Sequence, residues 1–373
     1  LSAFNSAGKD QGLNASVGEQ AAFQYATALN ALLADNKHRV QLGDTTVVFW
    51  TEKSSSTQAD APGTPDPADA LAEAFGVYKD DRKPKAEGEK QTRSTLRDFL
   101  ERYRKGRQAN NAQSLESADT PFYVLGLSPN AARISVRFWL NCTVAELAER
   151  LGNYVEQLAM TGSRTDESSP ILRQLMWETA REAKDIPPQL AGDFARALLT
   201  GNKYPHSFAV AILRRIVADR SINHPRAAGL KAWLIRNHQQ EVPVSLDPQR
   251  TEEAYLLGRL FAAYEKIQSD STDGKLNRTI RDSYLSSASA TPGVVFPRLY
   301  KLNQHHLSKL SRDKPGLAVV RERLIGEICQ NLSRFPNRLS LEQQGLFAIG
   351  FYHQTQDFYT RRTEPQPTAP SEE

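Results

Sequence analysis

From residue 144 onward almost every apolar residue recurs at intervals of three or four, and prolines cut the pattern into lengths. Pro187-Pro188, Pro205, Pro225 and Pro243 each lack a backbone donor and bar continuation of a preceding helix, so this part must become several packed helices. Residues 161–245 make a first helical region. Residues 246–362 read as a bundle of about five helices. Asp247-Pro248 starts one with Leu256, Leu257, Leu260, Phe261, Tyr264 and Ile267 inward, and Leu276, Ile280 and Tyr284 line the next. Phe296, Leu299, Leu302 and Leu310 mark a third, and Leu317, Val320, Leu324, Ile328 and Leu332 a fourth. Ser340 with Gln343 has capping-box spacing and opens a fifth with Leu346, Phe347, Phe351 and Tyr352.

The front of the chain is patterned differently. Residues 1–52 read as the end of a mixed α/β domain: Gly8, Gly12, Asn14 and Gly18 punctuate a loop, and Glu19 to Ala34 carries Phe23, Ala26, Leu29, Leu32 and Leu33 on one helical face. Val40 to Trp50, with Gly43-Asp44 between apolar arms, is a strand pair or a bulged strand. Residues 53–93, rich in serine, proline and charge, read as a flexible linker or insertion. Residues 94–160 return to mixed structure. Phe122 to Leu125 and Arg133 to Leu140 alternate around Ser128-Pro129-Asn130, which predicts a hairpin with a proline turn, and Thr143 with Glu146 then opens a helix. Residues 363–373, with three prolines, read as a disordered tail. The predicted class is α+β, predominantly α, with a small mixed N-terminal part ahead of helical domains.

Charge is concentrated in one place. Residues 196–236 hold Arg196, Lys203, Arg214, Arg215, Arg220, Arg226, Lys231 and Arg236 against a single acid, Asp219, while the whole chain carries only +4. Phe208, Ile212, Leu213, Ile216 and Val217, and again Leu230, Trp233 and Leu234, recur at helical intervals, so each segment is expected to bury one face and leave its arginines on the other. That is the footprint of a polyanion surface, although a solvated helix face has the same pattern. Trp50, Trp139, Trp177 and Trp233 all fall on apolar faces and are expected in the core.

Other classes are weaker. No apolar run approaches the roughly 20 residues of a membrane span. Cys142 and Cys329 are far apart and no secretory leader precedes them, which points to a reducing, cytoplasmic setting. The chain opens at Leu1 without an initiator Met, so it is expected to be the later part of a longer polypeptide. The seven histidines show no metal-site spacing, His305-His306 is expected to sit one in and one out on a helix, and no phosphate-binding glycine loop appears. No catalytic constellation or cofactor site is expected, which disfavours a metal-dependent nuclease. A helical scaffold that meets acidic proteins remains an alternative.

Longer motifs narrow this. Gly8-Lys9-Asp10-Gln11-Gly12-Leu13-Asn14-Ala15, then Glu19, Ala21-Ala22-Phe23, Tyr25 and Thr27-Ala28-Leu29-Asn30, then Gly43-Asp44-Thr45-Thr46-Val47-Val48-Phe49-Trp50, resemble the large subunit of the type I-C CRISPR interference complex, Cascade. The run from Asp119 to Arg133 and Thr200-Gly201-Asn202-Lys203-Tyr204-Pro205 match it as well, with Ser16 a departure where the family more usually has Pro. The resemblance implies a noncatalytic cytosolic subunit in a CRISPR RNA-containing complex. Its implied partners are the Cascade backbone and small subunits, target double-stranded DNA with its displaced single strand, and a recruited helicase-nuclease that does the cutting. It implies help in recognising the protospacer-adjacent motif (PAM) and in unwinding the target, and a last helical part like the small subunit, made also as a separate product. Candidate phosphate contacts are Arg133 and Arg137 on the hairpin, then Lys203, Arg214, Arg215, Arg220, Arg226, Lys231 and Arg236, then Arg278, Arg281, Arg298, Lys301, Lys309 and Arg312 in the bundle. Lys9, Gln11 and Asn14 form a separate candidate, because glycines let the backbone approach a ligand and Gln and Asn can pair with base edges.

Overall fold

In a computed structural model, residues 17–52, 66–76, 95–104, 119–131, 133–162 and 169–360 are described. Lys9, Gln11, Asn14, most of the 53–93 segment and the 363–373 tail lie outside them. The chain forms two compact units, one to Leu151 and one from Gly152.

The first unit is built on four antiparallel strands in chain order: β1 (Arg39–Leu42), β2 (Thr45–Thr51), β3 (Pro121–Asn130) and β4 (Arg133–Thr143). Gly43, at φ 61°, supplies the left-handed residue that the tight β1–β2 turn needs. The β3–β4 hairpin turns later than its proline suggests: Pro129 pairs with Ile134 inside the ladder, and Ala131, at φ 53°, makes the turn. Proline is tolerated there because β2 pairs with β3 only as far as Leu127, so Pro129 has a single neighbouring strand. Arg137 is an extra residue in β4, since Gly126 opposes Phe138 and Leu127 opposes Val136. A side chain at Gly126 would meet the Phe138 ring at 2.4 Å, which is why this strand position is glycine.

Helix α1 (Glu19–Ala34) has the boundaries that its apolar spacing predicts, yet it buries no residue fully and Phe23 is 72% exposed. The segment expected as a linker contains a helix, α2 (Pro67–Phe75). Asp66 caps it by accepting from the Ala68 N–H at 2.8 Å, Pro67 fits the first turn, and Gly76 ends it at φ 80°. Its Leu71, Ala74 and Phe75 are buried, as are Val47, Phe49, Phe122 and Val124 of the sheet. Residues 95–104 form α3, whose Leu96 N–H donates to the buried Glu73 carboxylate at 2.7 Å. Helix α4 (Val144–Leu158) opens with the expected reciprocal bonds between Thr143 and Glu146, and the division of the chain falls within it.

The second unit is helical: α5 (Leu172–Trp177), α6 (Pro188–Thr200), α7 (His206–Asp219), α8 (His224–His238), then α9 (Glu253–Ser271), α10 (Ile280–Ala290), α11 (Pro292–Asp313), α12 (Pro315–Gln330) and α13 (Leu341–Asp357). The last five are the expected bundle. Its first helix starts at Glu253, because Asp247 instead makes a local turn, accepting from the Gln249 N–H at 2.9 Å. Thr279 with Asp282 and Ser340 with Gln343 form complete capping boxes. Helix α9 is buried along nearly its whole length and crosses α13 at two glycines. A Cβ at Gly258 would lie 2.0 Å from the Phe347 carbonyl oxygen, and one at Gly350 would lie 2.2 Å from that of Tyr255. Backbones this close leave no room for any side chain. The regions expected as separate, 161–245 and 246–362, belong to one unit because α8 packs on α13, with Leu234 over Gly345.

Two sequence expectations about faces are corrected. Val320 is 58% exposed, since α12 fully buries only Ala318 and Ile328. Of the four tryptophans only Trp233 is in the core: Trp139 and Trp177 are 54% and 47% exposed, and Trp50 is half-buried.

Candidate nucleic-acid interface

The candidate basic residues fall into two physical groups. The first is internal. Most of α8, from Arg226 to Leu234, is buried, because α5, α7 and α13 all pack against it. Arg226 points inward: its Nε donates to Glu178 at 2.6 Å, its Nη1 donates to the Ser221 carbonyl at 2.8 Å, and its Nη2 pairs with Asp219. Lys231 is 2% exposed, and its Nζ donates to the carbonyls of Glu156 and Gln157 in the last turn of α4 at 3.3 and 3.1 Å. It adds a charged donor to two helix-end carbonyls, of which that of Glu156 also accepts from the Ala159 N–H at 3.2 Å. Burial pushes its ammonium down to about 8, against a smaller opposing pull from Glu156. Arg236 lies 4.3 Å over the Tyr204 ring and reaches the Ala197 carbonyl at 3.4 Å. Arg215 pairs with Asp219 one turn on. The expectation that these helices turn all their cations outward is therefore corrected for Arg226, Lys231 and, in part, Arg236 and Arg215. On α7 and the loop before it, Arg214 and Lys203 remain exposed, and Arg220 is half-exposed, 4.0 Å from Asp282.

Elsewhere, Arg281 is paired with the largely buried Glu265 at 2.9 Å. Burial raises that carboxyl's pKa, and Arg281 is the largest opposing influence. Arg137 is held by Ser128 Oγ at 2.6 Å and Asp44 at 3.1 Å, and Arg133 is exposed at the hairpin. Arg278 is exposed just before α10.

The second group is gathered on α11. Val295, Phe296, Leu299, Asn303, Leu307 and Leu310 form its buried side. Arg298, Lys301, His305, Lys309 and Arg312 are all exposed and follow one another by three or four residues, so they line the opposite side. At 1.5 Å rise per residue the line runs for about 21 Å. The helix's one acid is Asp313, at its end. Among the described residues, none of these five side chains makes an ion pair, and Arg298 lies 5.6 Å over the Tyr284 ring, with Tyr300 51% exposed nearby in sequence. His305, expected only as the outward member of a histidine pair, also falls on this line, and its spacing of four from both Lys301 and Lys309 is the signal. The in-and-out arrangement of the histidine pair holds: His306 is half-buried, 3.4 Å from Ser271, and burial lowers its pKa.

Other chemistry is sparse. Among the described residues no three His, Cys, Asp or Glu side chains come together as a metal site, and no helix is long and apolar enough to cross a membrane. Burial raises the thiol pKa of both Cys142 and Cys329, which opposes thiolate formation. A protein-family model described as CRISPR-associated protein (Cas_Csd1) matches residues 1–359. No curated protein matches the chain.

Proposed function

Because the chain belongs to the Cas_Csd1 family of CRISPR-associated proteins, the large subunits of type I-C Cascade, we propose that it is a noncatalytic DNA-binding subunit of an RNA-guided surveillance complex. In this reading it supports PAM recognition and strand opening, holds the displaced strand through the phosphates, and helps to recruit the helicase-nuclease, while base pairing with the guide reads sequence. The observation that carries it is the α11 line: five exposed side chains, four of them arginine or lysine, on one helix face with no acid among them. A strand of phosphates meets such a line without any local rearrangement of ion pairs, and counterion release then favours binding.

The test is the affinity of the purified chain for fluorescent single-stranded DNA across a salt series. Changing Arg298, Lys301, Lys309 and Arg312 together to Glu should abolish most binding, and neutralising them to Ala should lower the log–log salt slope by about three, at about 0.7 per phosphate contact. Unchanged affinity and slope in both variants would overturn the reading. If DNA affinity is unchanged but assembly with other subunits is lost, the stripe faces an acidic protein instead.

A further inference from the structure

Six of the seven histidines are engaged by the fold. His38 pairs with Asp35 at 2.7 Å, His238 lies 3.7 Å from Glu342, and the rings of His206 and Trp233 have their centroids 6.0 Å apart. His224 meets the Met160 carbonyl at 3.0 Å, His353 the Tyr255 hydroxyl at 2.9 Å, and His306 the Ser271 hydroxyl at 3.4 Å. His305 is different. It is exposed and, among the described residues, makes no hydrogen bond, ion pair or ring contact. It stands at the centre of the α11 line, with Lys301 one turn before it and Lys309 one turn after. No acid occurs in the sequence between Asp282 and Asp313, so the charges that α11 sets around it, from Arg298 to Arg312, have one sign. The elements packed on α11 do not change this. From α9, Ser271 faces His306, and Asp273, just beyond the helix, is held by Lys314 at 2.6 Å and drawn less strongly by Lys309. From α10, Tyr284 meets Arg298, and α12 brings Ala318 to the buried Leu307 and Leu310. None of them pairs a carboxylate with His305.

We infer that His305 makes the α11 line proton-dependent: a strand of phosphates binds more tightly when this imidazole is protonated, and the chain takes up a proton as the strand lands. The inference rests on the DNA-binding reading above and adds the regulation of that same surface. Imidazole is the side chain whose ordinary charge change falls between pH 5 and 8. Lys301 and Lys309 are about 12 Å apart along the helix axis, so a strand that reaches from one to the other passes over His305. There the imidazolium supplies one more phosphate contact, and the neutral ring supplies none. Linkage then works in both directions: protonation favours binding, and bound phosphate favours the protonated ring. A histidine already engaged by an internal partner could not respond in this way without giving up that partner.

The experiment measures the affinity of the full chain for fluorescent oligothymidylate, whose bases and phosphates hold their charge over this range, at about pH 8 and about pH 5.5. Lowering the pH should tighten binding by about 5-fold at 0.1 M salt and steepen the log–log salt slope by about 0.7, the effect of one added phosphate contact. His305→Gln should bind at both pH values as the parent does at the higher one. His305→Lys should bind at both as the parent does at the lower one. Because His305 is exposed and unpartnered, both variants should melt with the parent. An affinity of the parent that does not change with pH would overturn the inference, as would a change of which half or more persists in both variants. In either case the DNA-binding reading stands if the α11 Glu variant still loses binding. No binding by the parent at either pH would overturn both.

Discussion

Helices α8 and α11 are both basic, and they use their charge in opposite ways. On α8, Arg226 and Lys231 are turned into a crowded interior, where each is matched to carboxylates or to carbonyl oxygens. On α11, one side is committed to the bundle and the other is exposed, with cations at every turn and, among the described residues, no ion pair. The lesson is that charge density along a chain does not locate a binding surface. An arginine becomes available to a ligand only when the fold supplies it no partner, and the densest basic run in this chain is where the fold supplies the most.

The largest effect that could break this contrast is at Arg226. Replacing it with Met should destabilise the second unit by about 3 kcal/mol or more, because Glu178 and Asp219 lose the cation they surround. A denaturant titration that shows no loss would mean that the α8 cations are as dispensable as those of α11. Next come two pH dependences. His353, 1% exposed and hydrogen-bonded to the Tyr255 hydroxyl, is pushed down to about 4 by burial first and then by Arg250, Lys231 and Arg259. Its folded pKa lies below the unfolded value of about 6.5, so its contribution is fully present above that pH and is lost as pH falls toward 4. A His353→Gln variant should show a flatter melting temperature over this window. Lys231 also binds its proton less tightly when folded, about 8 against 10.5, so the unfolded chain holds more protons between those values and stability should rise with pH through that interval. Lys231→Met should remove the rise; if it persists, the ammonium is not the buried charge responsible. The smallest effect sharpens the other side of the comparison. Single changes of Lys301, Lys309 or Arg312 to Ala should alter stability by no more than about 0.5 kcal/mol in thermal melts, while each lowers the salt slope for DNA by about 0.7.

Much of the helical architecture was legible because its signals are local. The Ser340–Gln343 and Thr143–Glu146 boxes are bonds between neighbours in sequence, and the limits of Glu19–Ala34 follow from the same short-range rules. Helix α2 was missed although Asp66-Pro67 is a good start signal, because its surroundings are rich in proline and serine and it spans few residues. The candidate site was legible only in part. Arg298, Lys301, Lys309 and Arg312, named as candidates from their charge, are exposed, but nothing in the pattern of α8 distinguished an arginine that faces water from one that faces Glu178, forty-eight residues away in sequence. The exposure of Trp139 was hidden for a related reason: alternation along β4 gives two sides to a strand without saying which is covered, and rings are ordinarily assigned to the covered side.

What the chain's own letters determined is its set of elements: helical periods, breaking prolines and capping pairs act over a few residues and hold whatever surrounds them. Which side of each element meets water was decided only by tertiary packing, since burial depends on neighbours distant in sequence. Helix α13 brings a glycine against Leu234 of α8, while on the basic side of α11 Arg298 meets the Tyr284 ring of α10 and the other cations are exposed. That difference in neighbours, more than any difference in composition, makes one set of cations structural and leaves the other exposed.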